Sequence, residues 1–171
     1  MFNKSLNNKI DKFLKNNFDI IYKYDFDGLV FLWGDTLKQI IMNEQVNKLE
    51  FLILNQDNNN ILSFFKKYKL KYDVVNDYEY NVIYKDLFIN IKLKNDLIFD
   101  LSTDYLFYDI DRKQFIPVGI KQTIDNRKIT WFCNKKLTSN NKKNIRSRLI
   151  LAKKFVQFLS NNNKKVKIVR K

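Results

Sequence analysis

VFLWGDTLKQII, residues 30–41, is the stretch from which the rest of the chain is read. An apolar strand runs into a single glycine, Gly34, and then into a short helix over residues 36–43, which is how many nucleotide-binding sites begin. The residue after the glycine is Asp35, a carboxylate where a phosphate would want a bare amide. The stretch therefore poses a choice between a nucleotide site and the shell of one.

Working outward, residues 3–17 place Leu6, Ile10, Phe13 and Leu14 at helical spacing, and LEFLIL at 49–54 reads as a second buried strand. Asn58 to Asn60 offer N-caps for a helix through Ile61, Leu62, Phe64 and Phe65. From 71 to 103 the period changes to two: KYDVV, NVIY, LFINIKL and LIFDLS read as a meander of strands separated by polar turns. DIDRKQFI at 109–116 reads as the start of a short helix, and VGIKQT and KITWFC as a hairpin around IDNRK. A last helix over about 142–160 carries Ile145, Leu149, Ala152, Val156 and Leu159 in one stripe, with Lys143, Arg146, Lys153 and Lys154 to one side. NNNKKVKIVRK closes the chain as a basic tail. The sum is a mixed sheet with helices packed against it.

Composition narrows the chemistry. The 171 residues contain no histidine, which removes His-dependent nucleophilic triads, a His general base and His-ligated zinc, so any catalysis must use carboxylates. Cys133, the only cysteine, forms neither an intramolecular disulfide nor a thiolate cluster, and reads as a small apolar core residue in a reduced compartment. No run of 18 apolar residues and no presequence is recognised, so a soluble protein without membrane contact is expected. Abundant Asn, Lys, Ile, Phe and Tyr point to an AT-rich genome: a mitochondrion or other organelle, or the cytoplasm of an endosymbiont.

Charge is segregated. Residues 1–120 hold 16 Lys/Arg against 17 Asp/Glu, whereas residues 121–171 hold 16 against Asp125 alone, a net charge of +15. Such a segment favours a polyanion, because each phosphate it neutralises releases condensed counterions. The expected organisation is a head domain over 1–120 and a basic hairpin, helix and tail over 121–171. Lys142, Lys143, Arg146, Lys153 and Lys154 are the first candidates for phosphate contact, followed by Lys164, Lys165, Lys167, Arg170 and Lys171. Trp131 and Phe132, inside the basic third, are candidates either for the core or for stacking on an unpaired base.

Four stretches in order resemble the head and neck of class II tRNA nucleotidyltransferases and their bacterial poly(A) polymerase relatives. VFLWGDTLKQII resembles that family's strand, Gly-Gly and helix with an Arg-Asp pair; KLEFLIL its Asp-x-Asp strand; DRKQFIPVGIK its Arg-Arg-Asp-Phe-Thr-Ile-Asn-Ala segment. SRLILAKKFVQFL resembles the neck stretch Glu-Asp-Pro-x-Arg-x-Leu-Arg-Ala-x-Arg-Phe. The resemblance spans roughly residues 28–160 and implies an α+β fold, a nucleotidyltransferase-like mixed sheet with flanking helices followed by a small basic helical neck. The chain stops just after the neck-like stretch, without the family's C-terminal tRNA-holding helices, which reads as a shortened form.

Nucleotidyl transfer uses two metal ions that activate the attacking hydroxyl and steady the leaving pyrophosphate, so the family's carboxylates must project together. Here the second glycine is Asp35, and the two aspartates of the metal strand are Lys48 and Glu50. An ammonium in a metal ligand's place repels a divalent cation and offers no lone pair. Arg112 and Lys113 keep their basic character, but Gln114 and Val118 stand where the family has Asp and Asn, and Asn144 and Ile145 replace the neck's Glu-Asp pair. Gly34, Arg112 and Arg148 remain as a nucleotide-binding remnant. Glu50 and Asp100, in LIFDLS, are the residual carboxylates; Asp100 also reads as a solvated strand aspartate, and Asp109 and Asp111 as helix N-terminal charges.

The expectation is a non-catalytic protein of this fold, without a cofactor, binding structured rRNA or tRNA within a ribonucleoprotein such as an organellar ribosome. Two alternatives stand beside it. One is an active, divergent CCA-adding or poly(A) enzyme using Mg²⁺ at Glu50 and Asp100; the other is a subunit that binds neighbouring proteins in a larger assembly.

Overall fold

A computed structural model of the chain describes residues 4–25, 27–94, 99, 101–132, 139–161 and 165–171, the side chains of 139–142 excepted. The chain divides into two compact units, Met1–Leu97 with Phe107–Ile116, and Ile98–Leu106 with Pro117–Lys171.

The first unit is built on seven strands: β1 (Leu29–Trp33), β2 (Lys48–Leu54), β3 (Lys71–Asn76), β4 (Glu79–Tyr84), β5 (Leu87–Lys94), β6 (Leu106–Asp109) and β7 (Gln114–Pro117), in the order β3-β4-β5-β2-β1-β6-β7. β2 and β5 run parallel; β1 is antiparallel to both β2 and β6, and β3-β4-β5 form an antiparallel meander of three of the four expected strands. The fourth, LIFDLS, lies in part outside the described residues and runs into a short 3-10 turn at Ser102–Asp104. Period two sorts the side chains. Leu49, Phe51 and Ile53 of β2 lie beside Ile89, Ile91 and Leu93 of β5, all buried.

Helices cover that apolar face. α1 (Lys4–Asn17) buries Ile10 and Leu14, and just beyond it the Phe18 ring lies 5.5 Å from Phe51 and 5.3 Å from Tyr84. α2 (Asp35–Met42) buries Leu37, Ile40 and Ile41 and ends at Asn43, whose φ of 58° suits the short amide side chain. α3 (Asn58–Lys67) is capped by Asp57, which accepts the Asn60 N–H at 3.0 Å, and sets Phe65 5.5 Å from Tyr80. The cap is thus the aspartate just before the asparagines expected to serve. Burying a ring such as Phe51 or Phe65 completely stabilises the unit by roughly 2–3 kcal/mol.

The helix expected at 109–116 is instead a strand pair. The Asp109 carboxylate accepts the Arg112 N–H at 3.0 Å and Lys113 takes a left-handed φ of 50°, so the polar run closes a turn between β6 and β7.

In the second unit the first strand and turn of the expected hairpin are replaced by α4 (Ile120–Asn126), while its second strand stands as β8 (Lys128–Trp131). Ile120, Thr123 and Ile124 are buried at i, i+3 and i+4, a helical spacing, and Gly119 enters the helix at a φ of 68°. α5 (Ser139–Leu159) comes next, and the last basic segment is no loose tail: β9 (Lys167–Arg170) pairs in parallel with β8, Ile129 beside Ile168. Parallel neighbours need a crossover, which α5 supplies. Leu101, Ile129, Ala152, Val156 and Val166 form the core, with Leu149 and Trp131 packed against it.

Candidate functional site

The face of the first unit's sheet opposite the helices carries polar groups in a row. Across β3, β4, β5 and β2, Asp73, Asn81, Asn90 and Glu50 are register partners, with Lys48 and Lys92 two residues from Glu50 and Asn90 on the same side. Asn90 is 3% exposed and donates from Nδ2 to Asn81 Oδ1 at 2.9 Å and to Glu79 Oε1 at 2.7 Å. Lys92 lies 3.6 Å from Glu79 and over the Trp33 ring.

Where β1 passes into α2, Gly34 adopts a φ of 71°, which side chains disfavour, and a Cβ built there would come 2.9 Å from Glu50 Oε2. The glycine therefore admits a carboxylate to the start of the helix. Glu50 Oε2 accepts the Asp35 N–H at 3.1 Å, and its Oε1 lies 2.9 Å from Lys48 Nζ. Thr36 donates to the Lys48 carbonyl at 2.9 Å and ties the head of β2 to the first turn of α2. Lys38, fully buried, faces Asp35 at 2.9 Å. A helix N-terminus attracts anions through its unpaired N–H groups and its dipole, and here the chain's own carboxylate meets one of them.

Among the described residues this arrangement does not supply the ligands that a pair of divalent metal ions needs. Each oxygen of Glu50 already has a partner, an ammonium stands at the other expected ligand position, and among the described residues no group of three acidic, histidine or cysteine side chains comes together. Asp100 lies outside the described residues, as does Cys133. Asp109, expected at a helix start, ends β6 as a buried turn acceptor.

Of the nucleotide-binding remnant, Gly34 and Arg112 belong to the first unit; Arg112 is exposed, with Nε 3.9 Å from Asp109. Arg148 belongs to the second unit, where it pairs with Asp104, a carboxylate 1% exposed. Lys143, Arg146, Lys153 and Lys154 are exposed along α5, and Ile150 and Phe158 stand exposed on the same helix. Lys165, Lys167, Arg170 and Lys171 are exposed on or beside β9, with the Arg170 guanidinium 5.2 Å from the Trp131 ring centroid. The Lys142 side chain and Lys164 lie outside the described residues.

Two features are not anticipated by the sequence. Asn90 sits in LFINIKL as the lone amide among apolar neighbours, a signal that becomes informative once its register with Glu50 is known. The exposed amides Gln122 and Asn126 fall four residues apart on α4, a spacing hidden when the segment is read as a hairpin.

No protein-family model matches the sequence, and no curated protein matches it. Solved structures do resemble the fold. A CCA-adding enzyme in complex with ATP superposes with a TM-score of 0.62 at 11% identity, over 98% of this chain and 42% of that one. The Thermotoga maritima CCA-adding enzyme complexed with tRNA gives 0.60 at 13% identity, over 92% and 41%. A tRNA nucleotidyltransferase complexed with a primer tRNA and an incoming ATP analog gives 0.53 at 10%, over 82% and 43%. The chain spans about two fifths of the length of these proteins. At such identities the likeness is one of architecture: the chain has a nucleotidyltransferase-like fold similar to that of tRNA-processing CCA-adding enzymes.

Proposed function

We propose that this chain is a non-catalytic nucleotidyltransferase-fold protein that binds structured RNA through its basic second unit, as a component of a ribonucleoprotein such as an organellar ribosome. The observation that carries the non-catalytic reading is the placement of Glu50. Its carboxylate takes the Asp35 amide and the Lys48 ammonium, so the groups that would face a triphosphate and its metal ions are already satisfied by one another. The RNA reading is supported by charge: 16 Lys/Arg against 15 Asp/Glu in the first unit, and 16 against 3, a net of +13, in the second. It is also supported by the similar structures that were solved with tRNA.

The test is to incubate the purified protein with a tRNA transcript and labelled nucleoside triphosphates in Mg²⁺ or Mn²⁺, and to measure binding of the same transcript over a salt series. No incorporation, together with RNA affinity that falls steeply with salt, is the expected outcome. Incorporation that disappears in a Glu50→Ala, Asp100→Ala double variant would establish an active divergent enzyme instead. Absence of salt-dependent binding would remove the RNA half and favour a protein partner.

A further inference from the structure

The geometry points to an unpaired nucleotide of an RNA strand as the ligand of a cavity in the second unit, a binding site distinct from the phosphate contacts of α5; it rests on the RNA-binding reading above. The cavity, of about 370 Å³, lies wholly within that unit and falls in the size range of small-molecule sites. Its lining divides by chemistry into three groups that match the three parts of a nucleotide.

The first is aromatic. The Tyr105 ring stands edge-on to Phe99 at 5.1 Å and to Phe132 at 6.5 Å, so its orientation is fixed by its neighbours. Tyr105 and Phe132 are both half-buried, which leaves π-surface toward the cavity for a base to stack on. The second group is a pair of amides. Gln122 and Asn126 lie four residues apart on α4, on one face of the helix, and both are exposed. Each offers a carbonyl acceptor and two N–H donors, the complement of a nucleobase edge.

The third group is cationic: Lys128 and Lys171 line the same cavity, and among the described residues no carboxylate side chain does. Asp125, on the same helix as the two amides, is paired with Lys121 at 2.9 Å. The floor is preformed. Ser102 Oγ accepts the Thr130 N–H at 3.0 Å and the Thr123 hydroxyl at 3.2 Å, which ties β8 and α4 together beneath the site. The Lys171 N–H donates to the Trp131 carbonyl at 2.9 Å, which holds the last lysine next to β8. Among the described residues no atom comes within 4 Å of where a Cβ on Gly119 would stand, leaving that side clear.

The experiment uses the full chain and two probes, an unstructured RNA of about ten nucleotides carrying 4-thiouridine and a folded tRNA transcript. In a Gln122→Ala, Asn126→Ala double variant, and separately in Lys128→Glu, affinity for the short RNA is expected to fall about tenfold. The double variant should leave tRNA affinity within about twofold, because folded RNA is held largely through phosphates. Photocrosslinks from the short RNA are expected on the peptides containing Tyr105 or Phe132. Unchanged short-RNA affinity in both variants, or crosslinks confined to α5, overturns the inference. Binding of tRNA without binding of the short RNA overturns it while the RNA-binding reading stands; binding of neither removes both.

Discussion

At the scale of single residues, Glu50 performs for α2 the service that a bound phosphate performs elsewhere. It accepts the Asp35 N–H and balances the charge of Lys48, and Gly34 makes the approach possible because no Cβ intervenes. Removing it with Glu50→Ala deletes a helix N-terminal acceptor and should lower stability by about 1 kcal/mol, read from urea unfolding. The same substitution vacates the amide and leaves Lys48 unneutralised, so the variant should bind a nucleoside triphosphate more tightly than the parent chain in calorimetry. Equal or weaker triphosphate binding would contradict the view that the carboxylate fills an anion's place. Arg148 makes a second case. The family resemblance implies a nucleotide-binding remnant there, yet the side chain pairs with Asp104, which is almost wholly buried. Arg148→Met should therefore cost about 3 kcal/mol of stability, far more than loss of a solvent-facing phosphate contact would. A thermal denaturation midpoint unchanged by this substitution would show that the pair is dispensable.

Among the elements, α1 is fastened to the rest of its unit through Asp11. The carboxylate receives Lys15 at 2.6 Å and the Tyr22 hydroxyl at 2.8 Å, with Lys113 3.9 Å away, between β6 and β7. Burial works to raise its pKa, and the hydrogen bonds from Lys15 and Tyr22 with the charges of Lys113 and Lys15 outweigh that, holding it below the ordinary carboxylate value. A carboxylate depressed in the folded state contributes fully above its unfolded value, near 3.9, and loses that contribution as pH falls through the folded one. Asp11→Asn should thus be about 1 kcal/mol less stable than the parent at neutral pH, and the two should converge in acid, as urea midpoints across pH would reveal. A constant gap down to pH ~2 would exclude ionisation as the cause. The segments most legible from sequence are those with one strong period: α1, β1, β2, α3 and the β3-β4-β5 meander. Those misread, 109–116 and 118–127, share short length and mixed spacing. Lys113 with its left-handed backbone and Gly119 at the start of α4 decide them, and neither announces its φ in the sequence.

For the whole molecule, the segregated charge makes a quantitative expectation possible. If Lys143, Arg146, Lys153 and Lys154 each meet a phosphate, reversing any one to Glu should reduce the slope of log affinity against log salt by about 1. Titrations of tRNA between low and physiological salt would measure it, and a slope indifferent to all four reversals would place the contacts elsewhere. The sequence alone determined the alternation of strands and helices, the crowding of cations at one end and the exclusion of histidine chemistry, because period and charge are local or additive properties. The resemblance to the nucleotidyltransferases implied further that Gly34, Lys48 and Glu50 belong to one site. Only the tertiary structure decided that Glu50 turns onto the Asp35 amide, that Asn90 stands beside it from a strand distant in sequence, and that the last basic segment is a strand paired with β8. Those outcomes depend on register and on which faces are brought together. Neither is fixed until the apolar sides of the sheet and helices have been buried against each other.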